Sequence, residues 1–104
     1  MAFVRVASLA ELPPGSVMEA RCGDGVFALC NHAGTVHALS GVCPHAYGPI
    51  GQGYLLDGFV VCPWHEWSYD CASGENSYDP AVRLDRFAVR VDGNEILIDP
   101  EQRA

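Results

Sequence analysis

Apolar residues along this chain fall in short stretches, each broken by Gly, Asp, Asn or Pro, and that punctuation predicts an all-β domain. Phe3–Val6 reads as a first strand. Ser8-Leu9-Ala10-Glu11 has capping-box form, and Pro13-Pro14-Gly15 ends any helical turn it starts. Ser16–Arg21 and Val26–Cys30 flank Gly23-Asp24-Gly25, a hairpin signal. A turn at Ala33-Gly34 leads into a strand over Thr35–Leu39, and Asp57-Gly58 leads into Phe59–Val61. Arg86–Val91 and Glu95–Ile98 flank Asp92-Gly93-Asn94. There Phe87, Val89 and Val91 alternate with Arg86, Ala88 and Arg90, as on a half-buried strand. Strands thus gather at both ends, and residues 41 to about 80 read as a long irregular segment.

Length and composition narrow the picture. A chain of 104 residues builds one domain and one core, burying roughly 60–70% of its unfolded surface. With 49% hydrophobic residues it is not a disordered chain. No apolar run approaches the ~20 residues of a membrane helix. The start, Met1-Ala2-Phe3-Val4-Arg5, lacks a basic region followed by an apolar stretch, so no secretory signal and a cytoplasmic location are expected. Thirteen acids against six bases, all arginine, leave a net charge of −7. That argues against nucleic acid and anionic membranes as partners and suits docking onto a basic protein.

The five cysteines are Cys22, Cys30, Cys43, Cys62 and Cys71. The odd number and the absence of a signal peptide make a disulfide framework a poor expectation, and cysteines clustered with histidines point to metal. Two motifs supply that cluster: Cys43-Pro44-His45 and Cys62-Pro63-Trp64-His65, with 16 residues between His45 and Cys62. Each offers one thiolate and one imidazole, and each has a proline after its cysteine that restrains the loop. A Cys₂His₂ set can hold tetrahedral zinc, or a [2Fe–2S] cluster in which two histidines replace two cysteines on one iron. Zinc-finger spacing groups the cysteines and the histidines separately. Here they alternate, which suits a two-metal cluster reached by both loops. A long irregular segment in so small a domain also needs a cross-link, and a metal centre would provide one.

These motifs resemble those of Rieske [2Fe–2S] proteins. Gly48-Pro49-Ile50, Gly53-Tyr54-Leu55, Trp67-Ser68-Tyr69-Asp70 and Ser73-Gly74 extend the likeness to soluble Rieske ferredoxins, so that it covers essentially the whole chain. The resemblance implies a single domain over 1–104: an antiparallel β-sandwich with a loop-built cluster-binding subdomain over about 41–80. It implies one [2Fe–2S] cluster, with Cys43 and Cys62 on the buried iron and His45 and His65 on the outer iron. A third loop, Ser77–Ala81 with Pro80, would cover it. The implied role is one-electron transfer from an NAD(P)H-dependent flavoprotein reductase to a terminal oxygenase or dioxygenase, as a monomeric carrier and not an enzyme. The small subunit of nitrite reductase, a Rieske subunit within a larger oxidoreductase, is the alternative. A structural zinc module serving protein interaction is a distant third.

Departures from the family pattern mark possible tuning residues. Quinol-oxidising relatives carry an extra disulfide-paired cysteine in each loop, at positions that here read Gly48 and Trp64. They also carry a serine where this chain has Trp67. Glu66 stands where glycine is usual, and its carboxylate would lower the potential and raise the pKa of the neighbouring ligand, unless it points into solvent. The Tyr69 hydroxyl could reach a ligand sulfur, or Tyr69 could be a packed core aromatic. Trp64 and Trp67 would shield the cluster or relay electrons. Cys22 and Cys30 could pair across their hairpin; otherwise Cys22, Cys30 and Cys71 read as structural, Cys71 as a possible reactive thiol. His32 and His37 read as ordinary. A cluster with two thiolates and two neutral imidazoles is formally neutral when oxidised, which raises its potential above that of all-cysteine clusters. Sparse hydrogen bonds to sulfur and an acidic body oppose that rise. The expected midpoint lies between about −150 mV and slightly above 0 mV; a redox titration giving well above about +100 mV would contradict it.

Overall fold

The computed structural model describes residues 3–43, 48–64, 66–79 and 81–103. Among the described residues, nine strands form two antiparallel sheets: β1 Val4–Ser8, β2 Val17–Cys22, β3 Gly25–His32, β4 Thr35–Ser40, β5 Tyr54–Leu56, β6 Phe59–Val61, β7 Ser68–Asp70, β8 Arg86–Asp92 and β9 Glu95–Arg103. The larger sheet runs β1-β9-β8-β4-β3-β2, and its edges β1 and β2 return to each other, so it curls into a near-barrel. The smaller sheet runs β5-β6-β7. The expected all-β architecture is therefore present.

Local chemistry sets the hairpins. Ala33-Gly34 and Asp57-Gly58 have φ of 54°, 94°, 51° and 84°, the left-handed pairs that join twisted antiparallel strands. Glu11 Oε1 accepts from the Ser8 backbone N–H at 2.9 Å, completing the box that starts the helical turn Leu9–Glu11. The buried Asn31 ties the next segment to β3: its Nδ2 donates to the Leu12 carbonyl at 2.8 Å and its Oδ1 accepts from Gly34 N–H at 2.9 Å.

β3 explains the layering. Phe27 and Leu29 point into one core, with Leu12, Ala38, Ile96 and Ile98 inside the curled sheet. Ala28 and Cys30 point into the other, with Leu39, Ile50, Val60, Tyr69 and Leu84. A strand buried on both faces reads as a continuous apolar run, as Val26–Cys30 does. The second core lies between the larger sheet and the smaller one, and Cys43 and Cys62 belong to it.

Residues 41 to about 80 are largely irregular, as expected, with the short strands β5, β6 and β7 and the helical turn Ile50–Gln52 set within them. Three-residue strands are too short to show alternation, and their pairing is set by the core beneath. Two expectations need correction. The β8–β9 hairpin forms, but Val91 is exposed where alternation placed it inside. Cys30 and Cys71 form a disulfide, both nearly fully buried. The register that sets Cys22 opposite Gly25 and Cys30 opposite Val17 keeps Cys22 from Cys30. The bond links β3 to the turn after β7 across a sequence separation of 41, a span that contains both Cys/His motifs. Cross-links closing loops of this size contribute about 2–4 kcal/mol. Cys71→Ala is expected to lower the unfolding free energy by about that amount in urea titration followed by circular dichroism. An unchanged midpoint would contradict it.

Candidate metal centre

Two loops emerge from the second core, and each is opened by a cysteine. The Cys43 N–H donates to the Gly48 carbonyl at 2.9 Å, and Val42 bridges Pro49, which closes the first loop over 43–48. The Cys62 N–H donates to the Trp67 carbonyl at 2.7 Å, which closes the second over 62–67 at the end of β6. Both cysteines are fully buried at the loop bases within one core cluster, where Cys43 adds to the upward push on the Cys62 thiol pKa. His45 and His65 lie outside the described residues, as does Pro80. Among the described residues, no three metal-ligating side chains converge.

Gly48 shows how tightly the loops abut. A Cβ there would lie 2.8 Å from Cys62 Sγ and 3.0 Å from Trp64 Cγ, closer than packed atoms come. Positions 48 and 64 thus face each other across the two loops. Neither residue carries sulfur, so the inter-loop disulfide of the quinol-oxidising relatives has no counterpart. Trp64 is half exposed and covers the Cys62 side, whereas Trp67 packs against the core.

The sulfurs collect hydrogen-bond donors. Tyr69, fully buried on β7, sets its hydroxyl 3.1 Å from Cys43 Sγ. Both descriptions of Tyr69 hold as geometry: it is a packed core aromatic, and its hydroxyl reaches a cysteine sulfur. Burial, and then the neighbouring Cys43, push the Tyr69 pKa well above the phenolic range, so the hydroxyl keeps its proton and can donate it. Burial also pushes the Cys62 thiol up, opposed by the backbone N–H of Trp64 that donates to its sulfur. Asn76 is buried beside Tyr69, and its Nδ2 has no hydrogen-bond partner among the described residues. Two buried sulfurs with a tyrosine hydroxyl and an amide N–H beside them suit an anionic, sulfur-rich group.

The remaining expected residues fall at the rim. Glu66 is exposed and has φ 55°, left-handed backbone that favours glycine, which accounts for the glycine usual at this position. Ser77–Asp79 form an exposed turn in which Asn76 Oδ1 accepts from the N–H groups of Tyr78 and Asp79 at 2.8 and 3.1 Å. His32 and His37 lie on β3 and β4; burial, with His32 and Arg86 nearby, holds His37 below the ordinary imidazole range.

Comparison with known proteins decides the family: the model of the Rieske [2Fe-2S] domain matches residues 2–93. The chain belongs to the Rieske [2Fe–2S] family. A Rieske domain of this kind has one [2Fe–2S] site, and the chemistry of the donor set fits it. The biphenyl 2,3-dioxygenase ferredoxin component of Rhodococcus jostii is 33% identical over 103 residues, covering 97% of this chain and 95% of that protein. The alkene monooxygenase system ferredoxin component of Xanthobacter autotrophicus is 31% identical over 100 residues, covering 95% and 82%. Among solved structures, the ferredoxin of carbazole 1,9a-dioxygenase from Nocardioides aromaticivorans superposes with a TM-score of 0.87 at 27% identity, covering 97% of this chain and 100% of that one. This Rieske chain is a small ferredoxin-type electron carrier, a component of a redox system and not its catalyst.

Sequence reasoning missed the Cys30–Cys71 bond and the orphaned Asn76 amide. Cys71 sits nine residues after Cys62, but no local pattern pairs it with Cys30. Asn76 carries no motif at all. Glu66→Gly is expected to stabilise the fold by about 0.5–1 kcal/mol, since glycine relieves the left-handed strain at some entropic cost. Loss of stability in urea titration would show that the carboxylate contributes more than its backbone costs.

Proposed function

We propose that Cys43, His45, Cys62 and His65 hold the [2Fe–2S] cluster, within a cluster-binding subdomain over about 41–80. The observation that carries this reading is the pair of buried cysteine sulfurs at the bases of two abutting loops, with Tyr69 bonded to one and the Trp64 N–H to the other. Cys43 and Cys62 would hold one iron, and His45 and His65 the other. When bound, the cluster takes up one electron and releases it again. The protein keeps the sulfurs dry, donates hydrogen bonds that favour the added negative charge, and leaves the histidine edge for exchange. Proline after each cysteine removes an N–H and limits loop motion.

The donor is an NAD(P)H-dependent flavoprotein reductase and the acceptor a terminal oxygenase. The relatives' roles as ferredoxin components of oxygenase systems support this assignment. Such a donor belongs to the cytoplasm, where its coenzyme is held, and the carrier acts there as a monomer. The Cys30–Cys71 bond is compatible with that compartment because burial shields both sulfurs from exchanging thiols. Among the described residues, no helix is long and apolar enough to cross a membrane.

Electron paramagnetic resonance of anaerobically purified, dithionite-reduced protein tests the centre. A rhombic signal with average g clearly below 2 is expected, and a silent, iron-free sample after cluster reconstitution would overturn the reading. Tyr69→Phe is expected to lower the midpoint by about 40 mV, the equivalent of one hydrogen bond of about 1 kcal/mol. An unshifted midpoint would mean that Tyr69 only fills the core.

A further inference from the structure

The smaller sheet has an outer face that is apolar where solvent would favour polar residues. Leu55, Val60 and Tyr69 stand in register across β5, β6 and β7 and pack on the core. Their neighbours therefore fall on the opposite face: Tyr54, Val61 and Ser68 in one row, Leu56, Phe59 and Asp70 in the next. Tyr54 and Leu56 are 50% and 57% exposed. Tyr78, 82% exposed, stands beside them on the segment whose Ser77 Oγ bonds Ser68 Oγ at 2.6 Å. Together they line a groove of about 410 Å³, large enough for one or two side chains of a partner. Among the described residues, the charged ones along it are Asp57 and Glu66, and none that lines it is basic.

We propose that this groove is the docking surface for the protein that accepts the electron, and that this partner presents an apolar side chain ringed by Arg or Lys. The inference rests on the carrier reading above and adds the place and chemistry of contact. Contiguous apolar residues on a sheet face mark a binding surface, because an uncovered antiparallel face ordinarily alternates to polar. Asp57 and Glu66 at the groove select a basic partner and speed its approach. A second copy of this chain is disfavoured, since it would bring the same two carboxylates and a net charge of −7. Glu66 directly follows His65, so a partner seated here lies beside the loop assigned to electron exchange.

The test follows oxidation of the dithionite-reduced holoprotein by stopped flow with two acceptors. Cytochrome c is a basic redox protein that must dock, whereas hexacyanoferrate(III) is a small oxidant that need not. Leu56→Arg places a positive charge in the groove. Asp92→Asn makes the same change of net charge at the β8–β9 turn, about 20 Å along β8 from the strand's first residue. The expected result is a fall of about tenfold in the cytochrome c rate for Leu56→Arg, with less than about twofold for Asp92→Asn. Both variants should keep the hexacyanoferrate(III) rate and the resonance signal. Equal rates with cytochrome c for the two variants would overturn the proposal. If Leu56→Arg loses the signal, Tyr54→Ser decides in its place: a fall in the cytochrome c rate alone supports the groove, and an unchanged rate overturns it. A wild-type protein that reduces neither acceptor would remove the carrier reading, and the docking surface with it. Failure of the groove alone leaves electron transfer to hexacyanoferrate(III) intact.

Discussion

The apolar layer shared by the two sheets is the constraint on which the rest depends. Ala28, Cys30 and Leu39 supply it from the near-barrel, and Val60 and Tyr69 from the smaller sheet. Cys43 and Cys62 sit within that layer rather than above it. The positions of their sulfurs are therefore fixed by core packing, which tolerates shifts of only a fraction of an ångström. β3 ties this layer to the rest, because a strand buried on both faces holds the near-barrel and the half that carries Cys43 and Cys62 as one body.

Electrostatics follows from the same burial. Inside that layer an unpaired negative charge on sulfur is costly, so each donor aimed at it counts for more than it would in water. Tyr69 and the Trp64 N–H come from β7 and the second loop. No single stretch of sequence provides the environment; the core brings its parts together. The body outside is strongly acidic, so the charge that attracts a basic partner is kept apart from the charge that moves.

The motifs Cys43-Pro44-His45 and Cys62-Pro63-Trp64-His65 made the chemistry legible because metal coordination demands particular residue types at close spacing. The longer hairpins were legible because turn conformation demands Gly, Asn or Asp. What stayed hidden depends on contacts between distant residues. Cys30 read as a small core residue, which it is, but its partner lies 41 positions on. β5 and β7 are too short for their pattern to separate them from loop. The Tyr69 hydroxyl could be suspected and not resolved, because its direction depends on how β7 lies against Cys43. Glu66 looked electrostatic from sequence, and the structure adds a backbone reason for the residue it replaces.

The return of β1 to β2 bears on how the chain behaves at high concentration. An open sheet of six strands would leave two long rows of free N–H and C=O groups, each a template for another chain to extend. Here the edges of the larger sheet lie beside each other without pairing, which leaves little room for a further strand on either. On the smaller sheet the β5 edge is three residues long, and the β7 edge is partly met by the bridge from Tyr69 to Asn76. Strand-by-strand growth into aggregates thus has little to start from among the described residues, and the carrier can be abundant without polymerising.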